Sequence, residues 1–291
     1  MKVGENGVRQ SAGHATTTVQ VVQQPVRQSV QTAQAAQNDA RPCGDVHVVL
    51  PAYNEAVALP ALLRRIAGVE LSDRITVWVV DDGSSDGTGD CVAGVRGLDV
   101  RLVRHPVNLG LGQAVQSGLR AVLDAAAADD VLVVMDADDT HDPRLISPLL
   151  GEIAAGADVV ICSRFVDGGD DSTAPRFRRF LSRGARVVFG RVLHFDGIQD
   201  FTSGFRAYRV SLLRRAAAHW GERLVEERGF ACMVELLLKL RHCGPVVSEI
   251  PFRLRYDRKP GASKLRLGRT LTQYLLLLTR DRLAPVPYRK L

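Results

Sequence analysis

Two aspartates one residue apart follow a run of apolar residues in this chain: Val131-Leu-Val-Val-Met135 leads into Asp136-Ala137-Asp138-Asp139. At the end of an extended segment Asp136 and Asp138 project to the same side. Carboxylates held that close repel one another, so the pair calls for a cation or for hydrogen-bond donors. Hard oxygen ligands of this kind suit Mg2+ or Mn2+. An ion held there can bridge a diphosphate and neutralise a departing nucleotide. The plainer reading is a run of solvated acids leading into a helix. Asp142-Pro143 fits that reading as an N-cap followed by proline at the first helical position, and Asp142 is assigned to capping.

Two more acidic groups stand after apolar runs. Residues 46–50 lead into Pro51-Ala52-Tyr53-Asn54-Glu55, and residues 75–80 into Asp81-Asp82-Gly83-Ser84-Ser85-Asp86-Gly87-Thr88. The ends of the first and second strands, and of the second and fourth, are expected to meet at one sheet edge. A carboxylate at Asp81 or Asp82 can accept from a nucleobase N–H or a ribose hydroxyl. Gly83 and Gly87 read as turn residues, with Ser85 or Asp86 capping the next helix.

Other chemistries lack their residues. Asn108-Leu-Gly110-Leu-Gly112-Gln-Ala is a poor dinucleotide fingerprint, because Val115 fills the third small position, and it reads as a tight strand-to-helix connection. There is no GxxxxGK[ST]. The five cysteines form no CxxC pair and match no zinc spacing, which fits a reducing compartment. Residues 253–291 hold eleven Lys/Arg against Asp257 and Asp281, a local +9 within a total of +6. Such a basic end suits phosphates or an anionic surface. No recognition helix, zinc finger or RNP-type aromatic run accompanies it, so nucleic acid is not the expected partner.

The elements that must position these residues are set by periodicity. Residues 46–50, 75–80, 100–103, 131–135 and 158–162 read as largely buried strands. Between them Leu59, Leu62, Leu63 and Ile66 repeat at helical spacing, as do Ala114, Val115, Gly118, Leu119 and Val122, and Leu145, Ile146, Leu149, Leu150 and Ile153. Alternating strand and helix implies an α/β fold, an open and mainly parallel sheet with helices on both faces. Ligands on such Rossmann-like sheets sit outside the carboxyl ends of the strands. Residues 1–44 contain eight Gln and no Leu, Ile, Phe, Trp or Tyr, too little apolar surface to order, and are expected to be a disordered tail. No signal-peptide h-region opens the chain, and no run nears the roughly 20 apolar residues that span a bilayer.

Together VVLPAYNE, VVDDGSSDGT, NLGLGQA, VMDADDTHDP and DFTSGFRAY resemble a family 2 glycosyltransferase of the GT-A fold, and within it the dolichyl-phosphate (polyprenyl-phosphate) mannosyltransferase group. The likeness runs from about residue 46 to 283. It implies a GT-A nucleotide-sugar-binding domain over 45–250, then a basic segment over 251–291 carrying an acceptor loop and an interfacial helix. Donor contacts would fall on Pro51, Tyr53, Glu55, Val80, Asp82, Asp136, Ala137 and Asp138. The metal, Mg2+ or Mn2+, would fall chiefly on Asp138 with Asp136 close by, and Thr140 stands where relatives carry a better ligand. The acceptor phosphate would meet Arg164, Arg178, Arg258 and Lys264, with Arg176, Arg179 and Lys259 near enough in register to substitute. Residues 167–175 are too polar and Gly-rich to pack and would form a mobile loop that closes over the donor.

The implied reaction is inverting, metal-dependent transfer of a hexose, GDP-mannose being the favoured donor, to a polyprenyl phosphate. Its setting would be the cytoplasmic face of a membrane, with peripheral attachment and room for a separate anchoring subunit. A polyprenyl phosphate is already ionised and needs no general base. The main alternative is a UDP-sugar donor with a soluble hydroxyl acceptor, which needs a carboxylate base; Asp200 in Gln199-Asp200-Phe-Thr-Ser-Gly is the candidate. A sugar nucleotidyltransferase would need a Gly-rich basic loop after the first strand, which Pro51 to Glu55 is not. A non-catalytic nucleotide-sugar-binding module is the remaining alternative. The Q-x-x-R-W motif of processive synthases is absent.

Overall fold

A computed structural model describes residues 43–71, 74–192, 198–258 and 267–283. The tail expected over 1–44 therefore lies almost wholly outside the described residues.

Among the described residues seven strands form one sheet: β1 (Val46–Ala52), β2 (Ile75–Asp81), β3 (Asp99–Arg104), β4 (Val131–Val134), β5 (Val159–Ser163), β6 (Arg206–Arg209) and β7 (Val247–Pro251). Their spatial order is β3-β2-β1-β4-β6-β5-β7. Only β6 runs antiparallel, against β4 and β5. This is the open, mainly parallel sheet expected. One detail differs: β2 and β4 do not meet, because β1 lies between them, Val48 facing Val77 on one side and Val133 on the other. The three acidic strand ends still share one edge, in the order β2, β1, β4. A second difference concerns β3, where Asp99, Arg101, Leu102 and Arg104 are exposed. It is an edge strand with a single neighbour, so it carries polar side chains that a buried strand could not.

The helices are α1 (Leu59–Ala67), α2 (Leu111–Ala125), α3 (Ile146–Ala154), α4 (Arg176–Val192), α5 (Val210–Trp220), α6 (Cys232–Leu240) and α7 (Leu267–Leu283). Both sheet faces are covered. On one, α1 and α3 set Leu59, Leu62, Leu63, Ile66, Ile146, Leu149 and Ile153 against Val48, Leu50 and Val133. On the other, α2, α5 and α6 pack on Val49, Val80 and Leu132, and α7 adds Tyr274 and Leu277. Each such side chain contributes about 2 kcal/mol through burial. The cap foreseen before α3 is present: Asp142 accepts from the Arg144 N–H at 3.1 Å, with Pro143 opening a short 3-10 turn. The Arg144 guanidinium beside it holds the Asp142 carboxyl down to about 2.

The Gly-x-Gly turn before α2 does connect strand to helix tightly, but its reason lies elsewhere in the chain. A Cβ on Gly112 would fall on the Glu227 carbonyl oxygen, and one on Gly110 would stand 2.5 Å from the Arg228 carbonyl oxygen. Gly110 also has φ 98°, which disfavours any side chain. The 226–228 segment is thereby laid against the start of α2, where Arg228 O accepts the Gly112 N–H at 3.1 Å. We expect Gly112→Ala to cost about 2–4 kcal/mol in urea denaturation, because backbone would have to shift. Gly151→Ala is the control: a Cβ there meets nothing within 4 Å, and within α3 it should gain about 0.5–1 kcal/mol.

Candidate functional site

The strand ends open into one cleft of roughly 710 Å3. Pro51, Tyr53, Glu55, Asp82, Asp136, Ala137, Asp138 and Arg164 all line it, which brings together residues up to 113 positions apart. Val80 does not. Its side chain is fully buried in the core, beneath Gly118.

The loops after β1 and β2 are stitched to each other. The Asn54 N–H donates to Ser84 Oγ at 2.9 Å, the Ser85 N–H to Asn54 Oδ1 at 2.9 Å and the Glu55 N–H to Thr88 Oγ1 at 2.8 Å. Asp86 takes the Thr88 N–H at 3.0 Å and the Ala56 N–H at 3.0 Å, but the N-cap of the 3-10 helix Thr88–Gly94 is Gly87, with no side-chain cap, so neither Ser85 nor Asp86 is the cap expected. Asn54 reaches this position only with φ 52°, which its side-chain bond to the second loop compensates.

Asp81 and Asp82, foreseen as acceptors for a nucleobase or ribose, are largely spent inside the protein. Asp82 accepts from Leu109 N at 2.9 Å and Gly110 N at 2.8 Å and meets His105 Nδ1 at 2.7 Å. A carboxylate offers about four acceptor sites, so little capacity remains. Asp82 borders the cleft but fixes the 108–110 turn. Asp81 takes the Ser84 N–H at 2.9 Å and pairs with Arg104 at 3.3 Å, and it does not line the cleft.

After β4 the acids divide. Asp139 turns over at φ 59° and pairs with Arg65, which also bonds Asp142 at 3.1 Å. Asp136 and Asp138 enter the cleft. Asp138 Oδ1 accepts from the Thr140 hydroxyl at 2.6 Å and the Thr140 N–H at 3.2 Å. Thr140 therefore orients Asp138, a role its position as a poor metal ligand did not suggest. The Asp136 N–H donates to His141 Nδ1 at 3.1 Å, which leaves the proton of a neutral ring on Nε2, 3.6 Å from Asp136 Oδ2. His141 is itself held by stacking on Phe205 at 5.0 Å and by the edge of Phe252 at 5.2 Å. Among the described residues no group of three His, Cys, Asp or Glu side chains is arranged to enclose a metal ion. Asp136 and Asp138, which both line the cleft, could hold Mg2+ or Mn2+ in the mode where substrate phosphates and water complete the shell.

On the other side stands Arg164. Its Nε and Nη2 donate to the two oxygens of Asp200 at 2.8 and 2.7 Å, and Nη2 also reaches Thr202 Oγ1 at 2.7 Å. Burial opposes the charge on Arg164, but Asp200 outweighs it and raises the guanidinium above its ordinary value. Burial likewise opposes ionisation of Asp200, and Arg164 overcomes it and holds the carboxyl low. Asp200 is fully buried, so it is not a general base facing the cleft. Behind it Glu249 accepts the N–H groups of Gln199 and Asp200 at 3.0 and 2.8 Å. Burial pushes Glu249 up to about 7.

The remaining cations are placed unevenly. Arg179 of α4 lines the cleft, whereas the side chain of Arg178 and all of Lys264 lie outside the described residues. Arg258 is exposed on the 3-10 turn Tyr256–Arg258 and does not line the cleft. The 167–175 stretch does pack, contrary to expectation. The Asp170 N–H donates to Phe252 O at 2.9 Å, the Leu254 N–H to Asp170 O at 3.0 Å and Thr173 Oγ1 to Leu254 O at 2.5 Å. Backbone pairing with residues 252–254 satisfies what side chains could not.

Arg228, Gln273 and Tyr274 line the cleft without having been singled out in the sequence. The buried Glu235, paired with Lys239 at 2.7 Å, takes the N–H groups of Glu226 and Glu227 and so fixes the loop that carries Arg228. Gln273 on α7 then bonds Glu227 at 3.0 Å. No local motif marks these residues; they meet through long-range packing alone.

Residues 47–216 match the family model for Glycosyl transferase family 2. The chain is 34% identical to the polyprenol monophosphomannose synthase of Mycolicibacterium smegmatis, over 77% of this chain and 82% of that one. It is 35% identical to the undecaprenyl-phosphate mannosyltransferase of Micrococcus luteus, over 77% and 88%. With the dolichol-phosphate mannosyltransferase of Pyrococcus furiosus it shares 34% identity over 79% of this chain and 61% of that protein. In fold it is similar to the glucosyl-3-phosphoglycerate synthase of Mycobacterium tuberculosis, solved with Mn2+, UDP-glucose and phosphoglyceric acid: TM-score 0.61, 19% identity, 91% of this chain and 88% of that one.

The raised pKa of Glu249 carries a pH signature. Its folded value of about 7 exceeds its ordinary 4.5, so the stability it contributes is complete below about 4.5 and drains as pH rises through 7. Stability measured in urea from pH 5 to 8 should fall on the order of 2 kcal/mol, and Glu249→Gln should flatten that slope.

Proposed function

The chain belongs to glycosyl transferase family 2, and on that premise we propose that this glycosyltransferase of GT-A fold moves a mannosyl group from GDP-mannose to a polyprenyl phosphate. The observation that carries the acceptor class is the buried Arg164–Asp200 pair. A hydroxyl acceptor needs a base, and the carboxylate foreseen for that task is consumed in holding an arginine. A phosphate acceptor needs no base and does need a cation, which Arg164 presents at the cleft wall. The similarity to three mannosyltransferases, two of them matched over more than four-fifths of their length, supports the same reading.

The geometry supports a division of labour. Tyr53, Glu55 and the turn held by Asp82 receive the nucleoside. Asp136 and Asp138 are the residues that would hold a divalent ion, which when bound supplies charge neutralisation for the leaving diphosphate. His141 and Thr140 keep those two carboxylates aimed. Arg164 sets the acceptor phosphate against the anomeric carbon, and displacement from the face opposite the diphosphate inverts that centre. The loop bearing Arg228 and the buried edge of α7 complete the lining of the cleft.

A lipid acceptor also calls for a membrane surface. No helix among the described residues is long and apolar enough to cross a membrane. Exposed apolar side chains instead run along α4 (Phe177, Phe180, Val187 and Val188) and α7 (Leu271, Leu275 and Leu276). The two helices pack together through Phe189 and Tyr274, whose rings are 5.1 Å apart. Arg176, Arg178, Arg179, Arg183, Arg186 and Arg191 lie on α4, which has no acid. Apolar side chains among arginines suit the anionic interface of a cytoplasmic leaflet.

The reading is tested with full-length protein, Mg2+ or Mn2+, and a panel of GDP-mannose, UDP-glucose and other nucleotide sugars against farnesyl phosphate and soluble hydroxyl acceptors. Mannosyl transfer from GDP-mannose to farnesyl phosphate is expected, with Asp138→Asn reducing it about a thousandfold or more. Transfer only to a hydroxyl acceptor, or only from a UDP-sugar, would overturn it. Phe180→Asp should weaken binding to vesicles rich in anionic lipid about tenfold while leaving transfer to soluble farnesyl phosphate near the wild-type rate.

A further inference from the structure

The cleft holds one acid whose bonding differs from that of all its neighbours. Pairing of Asp170 with the 252–254 backbone turns Asp171 inward, where it is 5% exposed. Its Oδ1 serves two arginines of α4 together, Arg183 Nη2 at 3.2 Å and Arg179 Nε at 3.4 Å. Its Oδ2 is buried and has no hydrogen-bond partner among the described residues, and neither has Nε of Arg179. Asp200, buried behind Arg164, has both oxygens filled by that arginine and takes the Thr202 and Ser203 N–H groups as well. A deeply buried carboxylate ordinarily has both oxygens bonded. Asp171 thus holds its arginines loosely, although it and Arg179 border the cleft beside Arg164.

Arg179 and Arg183 stand one helical turn apart on α4, so their guanidinium groups converge on one point. Two guanidinium groups facing one point suit an anion with more charge and more oxygens than a carboxylate has. A phosphomonoester offers three peripheral oxygens and nearly two charges at neutral pH, and arginine binds it bidentately. We propose that Arg179, at the cleft wall, and Arg183 beside it form a phosphomonoester site and that Asp171 is its resident anion, holding the pair until a phosphate displaces it. This rests on the reading of the cleft as a transferase with a phosphate acceptor, and it adds a site and a placeholder to that reading.

The placeholder makes a prediction opposite in sign to that of a structural clamp. In Asp171→Asn the competing charge is gone, so the KM for farnesyl phosphate should fall three- to tenfold while the KM for the nucleotide sugar stays within twofold. Arg179→Gln should raise the KM for farnesyl phosphate about tenfold or more, and adding Asp171→Asn to it should recover little. Inorganic phosphate and farnesol are the companion probes. Inhibition by phosphate, competitive with farnesyl phosphate and strengthened in Asp171→Asn, would extend the site to free phosphate. Tight use of farnesyl phosphate without phosphate inhibition would restrict it to the lipid headgroup. Farnesol should compete in no variant.

A rise in acceptor KM in Asp171→Asn, or equal damage to donor and acceptor, would make Asp171 a clamp for α4 and sink the proposal. Should Asp171→Asn fail to fold, Arg179→Gln decides, because an unchanged acceptor KM there is equally fatal. These results are read against a wild-type enzyme that transfers to farnesyl phosphate. If it transfers to none of the phosphate acceptors, the functional reading itself has failed, and a phosphate-induced rise in Tm that Arg179→Gln abolishes still decides for or against the site.

Discussion

Negative charge is crowded at the carboxyl edge of the sheet, and the architecture is organised around relieving its self-repulsion. Asp81 faces Arg104, Asp82 takes two backbone N–H groups and His105, Asp139 and Asp142 share Arg65, and Asp200 is clamped by Arg164. Each pairing removes one carboxylate from the contest for a ligand. Asp136 and Asp138 are treated differently: imidazole, hydroxyl and N–H groups aim them.

The same pairings place the cleft walls. Because Asp82 bonds the 109–110 backbone, the turn before α2 is drawn over the β2 end. Because Gly110 and Gly112 lack side chains, the 226–228 segment can lie directly on that turn. Because Glu235 and Lys239 neutralise each other beneath it, that segment holds its course and carries Arg228 to the cleft and Glu227 to α7. A buried ion pair of this kind adds little net stability, and its value here is that it fixes a backbone path.

Much of this was legible in the sequence. Apolar runs and helical repeats marked β1, β2, β4, β5 and α1 to α3, since burial on both sheet faces writes itself as composition and period. Asp142 was recognisable as a cap because capping is local. β6, α4 and α6 left weaker signals. β6 has four residues, two of them arginines, and its burial rests on Arg206 donating to the carbonyls of Met233 and Phe201. α4 holds six arginines and follows the polar 167–175 stretch, which drew attention to a loop there rather than to a helix.

The sequence by itself determined the fold class and which strand ends bear the chemistry, because strand burial and strand-end loops are encoded in short stretches of chain. The five motifs also sufficed to identify the family. What the tertiary structure alone decided is the partner of each charge. Asp200 binds Arg164 across 36 positions and Asp82 binds the turn at 109–110, which turned a candidate base into an arginine holder and a candidate base reader into a loop anchor. Electrostatic partners are chosen by distance in space, and a distance closed by seven strands and seven helices has no imprint in the local order of residues.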